Sequence, residues 1–237
     1  MDILGFPILI IVLIIASTFI RLYVVLTATS DAKPSGRRGD SDNCSFAVFL
    51  GSGGHTSEAL SLLSALDFNR YVPRIYIISE GDTLSMQKAK VLESTKTADA
   101  PQTTSSVTQP STPYTFVVIP RARRVHQSLL TTPFTAALAL AASVWHITAA
   151  PIFFGPPAPE VVLLNGPGTC FVLCIATYLN RFLGLKSPKL IYVESFARVR
   201  RLSLSGKLLR PLVDRFIVQW PELLSDKMRG ECRGWLV

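Results

Sequence analysis

Phe46-Ala47-Val48-Phe49-Leu50-Gly51-Ser52-Gly53-Gly54-His55-Thr56-Ser57-Glu58 is the stretch on which the fold turns. Five apolar residues in a row predict a strand covered on both faces, and a helix is predicted to start straight after the glycines. Glycines at such a turn permit positive φ and let a ligand approach the backbone with no Cβ in the way. The free N–H groups and the positive end of the helix dipole then favour an anion, most naturally a phosphate or diphosphate. Gly51, Ser52, Gly53, Gly54 and Thr56 are therefore candidate anion-binding residues. Thr56 or Ser57 would cap the helix, with Glu58 on its first turn. His55 inside the loop is a candidate general base or ligand contact. The loop is no standard nucleotide fingerprint. Thr56 stands where G-x-G-x-x-G requires glycine, and the lysine of a P-loop is missing.

Working outward, apolar β-type runs at 46–50, 74–78, 115–119, 161–164, 190–193 and 215–219 alternate with helical stretches near 56–66, 83–93, 129–147 and 169–182. This βα alternation predicts an α/β, Rossmann-like, doubly wound parallel sheet. Ligands bind at the carboxyl edge of such sheets, so the loops after the strands carry the other candidates. The third strand is followed by Arg121, Arg123 and Arg124, able to make charge-assisted contacts to phosphate oxygens. The fourth runs into Asn165, Gly166, Gly168 and Thr169, a second glycine loop opening a helix. The fifth ends at Glu194, a candidate acid/base or hydroxyl-binding group.

Residues 3–21 are almost wholly apolar and long enough to span a bilayer. Asp2 precedes the run, whereas Arg21, Lys33, Arg37 and Arg38 follow it, so the positive-inside rule places everything after the anchor in the cytosol. The Asn43-Cys44-Ser45 sequon is then expected to carry no sugar. Residues 22–45 read as a juxtamembrane linker and 46–237 as the folded domain. The Ser/Thr/Pro-rich tract 95–113 reads as a disordered insertion. Residues 129–154, alanine-rich and broken by Pro133 and Pro151, read as a helix laid on the sheet rather than a second span. The chain has 24 Lys and Arg against 16 Asp and Glu, a net +8, and a positive mean hydropathy. That pairing suits a membrane surface or a phosphate-rich ligand. No nucleic-acid module is present to favour the alternative. Cys44, Cys170, Cys174 and Cys232 have no metal or redox spacing and read as thiols in a reducing compartment. No metal or cofactor is expected.

FLGSGGHTSE (49–58), IPRARRVHQS (119–128), LLNGPGTC (163–170), YVESFARV (192–199) and DRFIVQWPEL (214–223), in this order behind an apolar anchor, resemble one family. It is that of the membrane-anchored subunit of the endoplasmic reticulum UDP-N-acetylglucosamine transferase, which adds the second GlcNAc to dolichol-linked GlcNAc-diphosphate. The resemblance implies the N-terminal, acceptor-side half of a GT-B enzyme, inactive alone. It also implies a heterodimer with a soluble, catalytic, UDP-GlcNAc-binding subunit. Gly51, Gly53, Gly54 and His55 would face the acceptor diphosphate, with the 166–169 loop beside them. Trp235, Leu236 and Val237, in the C-terminal tail, would hold the partner. Read from residues alone, two alternatives stay open: a pure membrane scaffold, and a membrane-bound Rossmann oxidoreductase with Glu80 on the ribose.

Overall fold

The structure is a computed structural model, and it describes residues 5–28, 43–98, 113–123, 127–128, 130–155, 158–224 and 229–236. Helix α1 (Gly5–Ala28) precedes the body. Seven parallel strands follow: β1 (Phe46–Leu50), β2 (Arg74–Ser79), β3 (Tyr114–Ile119), β4 (Val161–Asn165), β5 (Lys189–Val193), β6 (Arg215–Val218) and β7 (Glu231–Cys232). They lie in the order β3-β2-β1-β4-β5-β6-β7. The chain therefore reverses direction across the sheet between β1 and β4, which is where a doubly wound fold leaves its ligand crevice.

β1 shows why the strands read as continuous apolar runs. All five of its residues are buried. Ala47 and Phe49 join the core under α6 (Thr169–Leu183), whereas Phe46, Val48 and Leu50 join the core under α2 (Gly53–Ser64) and α3 (Thr83–Ala98). Side chains alternate across a strand, so a strand covered on both faces needs no polar partner set.

The crossover from β3 to β4 is α4 (Thr132–Val144), a π-helical turn at Trp145–Ala149, and α5 (Ala150–Phe154). Pro151 has no N–H for the Ile147 carbonyl and would clash with it in a regular helix, so the chain widens to π just before it. The Nδ2 of Asn180 reaches that carbonyl from α6 at 3.5 Å. The helix is long and apolar enough to cross a membrane, as is α1. One side packs on α6, through Ala139, Ser143 and Ile147, while Phe134, Phe153 and Phe154 are exposed.

Three boundaries differ from the sequence reading. The anchor helix does not end at 21. It continues to Ala28, so 22–28 is helix and not linker, with Val25 buried against the body. Arg21 donates to the Arg181 and Phe182 carbonyls at 2.9 and 3.0 Å, a cation satisfying the last carbonyls of α6. The tract expected to start at 95 is still α3 until Ala98, and the Pro113 carbonyl accepts from the Arg74 amide. Residues 29–42 and 99–112 lie outside the described residues. The linker's expected end at 45 is already tied to the body, the Cys44 amide donating to the Arg70 carbonyl and the Ser45 carbonyl accepting from the Glu160 amide. Two elements were not anticipated: the six-residue helix α7 (Leu204–Leu209) and β7.

Candidate functional site

β1 and β4 are hydrogen-bonded neighbours, with Leu50 opposite Asn165, so their loops leave the sheet side by side. The glycines divide by task. A Cβ on Gly51 would stand 2.9 Å from the Asn165 carbonyl oxygen, and one on Gly166 would stand 3.3 Å from the Gly51 Cα. These two let the loops touch. Gly53, Gly54 and Gly168 have nothing within 4 Å of a Cβ and front open space. Positive φ is taken by Ser52 (66°) and Gly53 (57°) rather than by the whole loop. For a serine that conformation costs about 1–3 kcal/mol, the kind of strain that functional loops retain.

Helix α2 starts at Gly53 behind Ser52, and α6 starts at Thr169 behind Gly168. Neither receives a side-chain cap. Thr56 and Ser57, expected as caps, do not serve as one. Thr56 is buried and shares a 2.6 Å hydrogen bond with Ser85, whose own hydroxyl donates to Asp82 at 2.6 Å. Its hydroxyl ties α2 to α3 rather than facing the loop mouth. Two helix N-termini thus open from touching loops at one edge of the sheet, with first-turn amides that no side chain caps, an arrangement that favours an anion.

Behind the loop a polar chain links α2, the end of β4 and the loop after β5 (Lys189–Val193). His55 Nδ1 lies 2.8 Å from Asn165 Oδ1, and the Asn165 Nδ2 donates to Glu58 Oε2 at 2.9 Å. The other Glu58 oxygen accepts from Ser195 Oγ at 2.7 Å. Asn165 is fully buried and Ser195 nearly so. Read from the sequence alone, Glu58 has a place on the first turn and no role, and Ser195 has none beside Glu194. The legible signal was spacing: His55 and Glu58 are i and i+3 and share a helix face. Their common target on β4 could not be read locally.

Glu194 is buried and its oxygens are engaged. Oε1 accepts from the Ser195 amide, and Oε2 from the amide and hydroxyl of Ser203 at 3.1 and 3.0 Å. Ser203 in turn caps α7 by accepting from the Gly206 amide at 2.9 Å. Beneath lies Tyr192, whose hydroxyl donates to the Gly166 carbonyl at 3.5 Å. Burial pushes that hydroxyl well above the ordinary tyrosine range, so it stays a neutral donor under the second glycine loop.

The loop after β3 reaches the same place. The Ala122 amide donates to Thr169 Oγ1 at 3.4 Å, which sets Arg121 and Arg123 beside the start of α6. Arg123 donates to the Gln127 carbonyl at 3.3 Å, and Arg121 forms no hydrogen bond with any described residue. Arg124 lies outside the described residues. At the far end of the sheet, β7 extends β6, and the Leu236 amide donates to Gln219 Oε1 at 3.1 Å. Trp235 packs edge-on against Phe196 and tilted against Trp220, yet stays 72% exposed. Val237 is outside the described residues.

Residues 46–236 match the family described as oligosaccharide biosynthesis protein Alg14 like. The chain belongs to that family. Proteins named UDP-N-acetylglucosamine transferase subunit ALG14 are similar to it over most of its length. That of Cryptococcus neoformans var. neoformans serotype D is 42% identical over 236 residues, covering 99% of this chain and 97% of the relative. The Schizosaccharomyces pombe protein is 48% identical over 188 residues, with 79% and 80% covered. The Mus musculus protein is 41% identical over 195, with 80% and 82% covered. Among solved structures, a crystal structure of Acinetobacter baumannii MurG matches with a TM-score of 0.49 and 12% identity, covering 81% of this chain and 46% of that one. The Alg14 match begins at the first residue of β1, so it spans both glycine loops, Glu58, Ser195 and the docked tail, and leaves α1 outside.

Proposed function

We propose that this chain is the acceptor-binding, membrane-anchoring half of a two-subunit, GT-B-type UDP-GlcNAc transferase. It works at the cytosolic face of the endoplasmic reticulum and presents GlcNAc-diphosphate-dolichol for addition of the second GlcNAc. The observation that carries this reading is the pair of touching glycine loops that open α2 and α6, with open space at Gly53, Gly54 and Gly168. A diphosphate on a lipid needs such donors, and α1 supplies the tether. Arg121 and Arg123 add cations at the rim, and Arg124 follows them in sequence.

The soluble partner brings UDP-GlcNAc to the opposite side of the cleft. The acceptor 4-hydroxyl attacks C1 of the donor sugar, the bond from C1 to the diphosphate breaks, and UDP leaves. His55 takes the hydroxyl proton, because Glu194 is already engaged by Ser195 and Ser203. The exposed ring of Trp235 belongs to the surface that holds the partner, with Leu236 and Val237 beside it.

The test is co-expression with a soluble UDP-GlcNAc-binding subunit and assay of transfer to a GlcNAc-diphosphate lipid. Gly54→Trp is the informative variant, since its Cβ meets nothing and its φ is ordinary, so a bulky ring fills the mouth without straining the turn. Loss of transfer with complex formation intact is expected. Full activity in that variant would remove the loop from the acceptor site. Transfer restored by fusing residues 1–28 alone to the partner would reduce this domain to a tether.

A further inference from the structure

Hydrogen-bond direction along the buried chain behind His55 is determined from one end. A carboxylate oxygen only accepts, so the Asn165 amide must turn its NH2 toward Glu58 and its carbonyl toward His55. An amide carbonyl also only accepts, so the proton in the 2.8 Å contact belongs to His55 Nδ1. The Nε2 nitrogen is then the one with a lone pair, and among the described residues nothing bonds it. Ser195 donates to the second Glu58 oxygen, which keeps the carboxylate from rotating away. Asn165 is fully buried at the end of β4, so turning its amide over would set its carbonyl against a carboxylate, with no water to compensate.

We infer that Glu58 and Ser195, acting through Asn165, are positioning residues that hold His55 as its Nδ1–H tautomer and reserve Nε2 as the proton acceptor. The inference rests on the transferase reading for what Nε2 accepts, namely the proton of the acceptor hydroxyl. The tautomer itself does not depend on that reading. A histidine whose Nε2 carried the hydrogen would meet the same hydroxyl as a donor and could not take its proton. Glu58 thereby controls chemistry at a distance, across a residue of another element.

The chain has three histidines, His55, His126 and His146, so ring-nitrogen labelling gives a readable spectrum of the full-length protein in detergent micelles. With the rings neutral, the wild type is expected to show pyrrole-type Nδ1 and pyridine-type Nε2 for His55, assigned by its loss in His55→Gln. In Glu58→Ala the carboxylate that fixes the amide is gone, so the amide is free to turn and a population with hydrogen on Nε2 should grow in. Glu58→Gln, whose carbonyl still accepts from Asn165, should restore the single tautomer. Unmoved His146 signals report that the fold is intact. In the reconstituted complex Glu58→Ala should lower kcat by about 10²-fold, near the lower end of general-base effects, with KM unchanged. A wild type with hydrogen on Nε2, or an unaltered spectrum in Glu58→Ala, would overturn the inference. Because the spectrum needs neither partner nor substrate, it separates failure of the tautomer control from failure of the transferase assignment.

Discussion

Arg74 and Glu93 meet inside the protein with 4% and 2% of their side chains exposed. The guanidinium makes two bonds to the carboxylate, at 2.7 and 2.8 Å, and two more to the Phe68 and Tyr71 carbonyls. Tyr76 donates a third hydrogen to Glu93, at 2.6 Å, and burial holds that phenol neutral by pushing it far above its ordinary range. Removing one member of a desolvated pair leaves the other charge uncompensated, so Glu93→Ala should lower stability by about 3–5 kcal/mol. Glu93→Gln, which keeps an acceptor, should lose less. A urea titration of the full chain in detergent measures both. A loss below about 1 kcal/mol for the alanine variant would mean that the pair behaves like an exposed bridge. Nothing in the local sequence pairs these residues. A carboxylate near the end of a predicted helix reads as solvated surface, and its burial follows only from α3 lying over β2.

The C-terminal tail shows the same limit for a whole element. Read from residues alone, the terminal Trp235-Leu236-Val237 is a frayed end, but just before it β7 adds a seventh strand through Ile217–Glu231 and Val218–Cys232 pairing. Glu231 holds this edge by accepting from Arg215 on β6 and from Arg233. Burial works to raise its carboxyl pKa, but the hydrogen bonds from Arg233 and Arg215 outweigh it and hold the value below the ordinary 4.5. A depressed carboxyl contributes stability that is complete above the unfolded value and is lost as pH falls through the folded one. The tail should therefore loosen on acidification below about pH 4, where carboxylates take up protons. The expected readout is a red shift of Trp235 emission in a Trp145→Phe, Trp220→Phe background. Glu231→Gln should lack that transition. An identical transition in the glutamine variant would assign it to another carboxylate.

At the scale of the molecule, the anchor is part of the folded body. Arg21 caps α6 and Val25 is buried, so the last turns of α1 hold the sheet in one relation to the membrane helix. Arg21 also begins the run of positive charge from which a cytosolic body is expected. Asn43 tests that assignment well, because it is exposed just ahead of β1 and the fold would not bar a sugar there. The protein isolated from cells should show no mass shift on treatment with an N-glycosidase. A shift abolished by Asn43→Gln would place the body in a lumen and remove the cytosolic reading.

Strand positions, the parallel doubly wound class and both glycine loops were legible because each rests on local physics. Apolar runs follow from burial on both faces, and the loops follow from where glycine interrupts them. Residues 22–28 are helix and not linker because the apolar run resumes after Arg21 with Leu22-Tyr23-Val24-Val25-Leu26, and one arginine does not end a helix. The Trp145–Ala149 turn was visible only as a proline in an unlikely place. The division of labour among the glycines had no local signal, and of the chain from Ser195 through Glu58 and Asn165 to His55 only the i, i+3 spacing of His55 and Glu58 was local. Periodicity reports which face of an element is buried. Which side chain stands opposite is settled by strand order and register, and those bring residues 137 positions apart within hydrogen-bond reach.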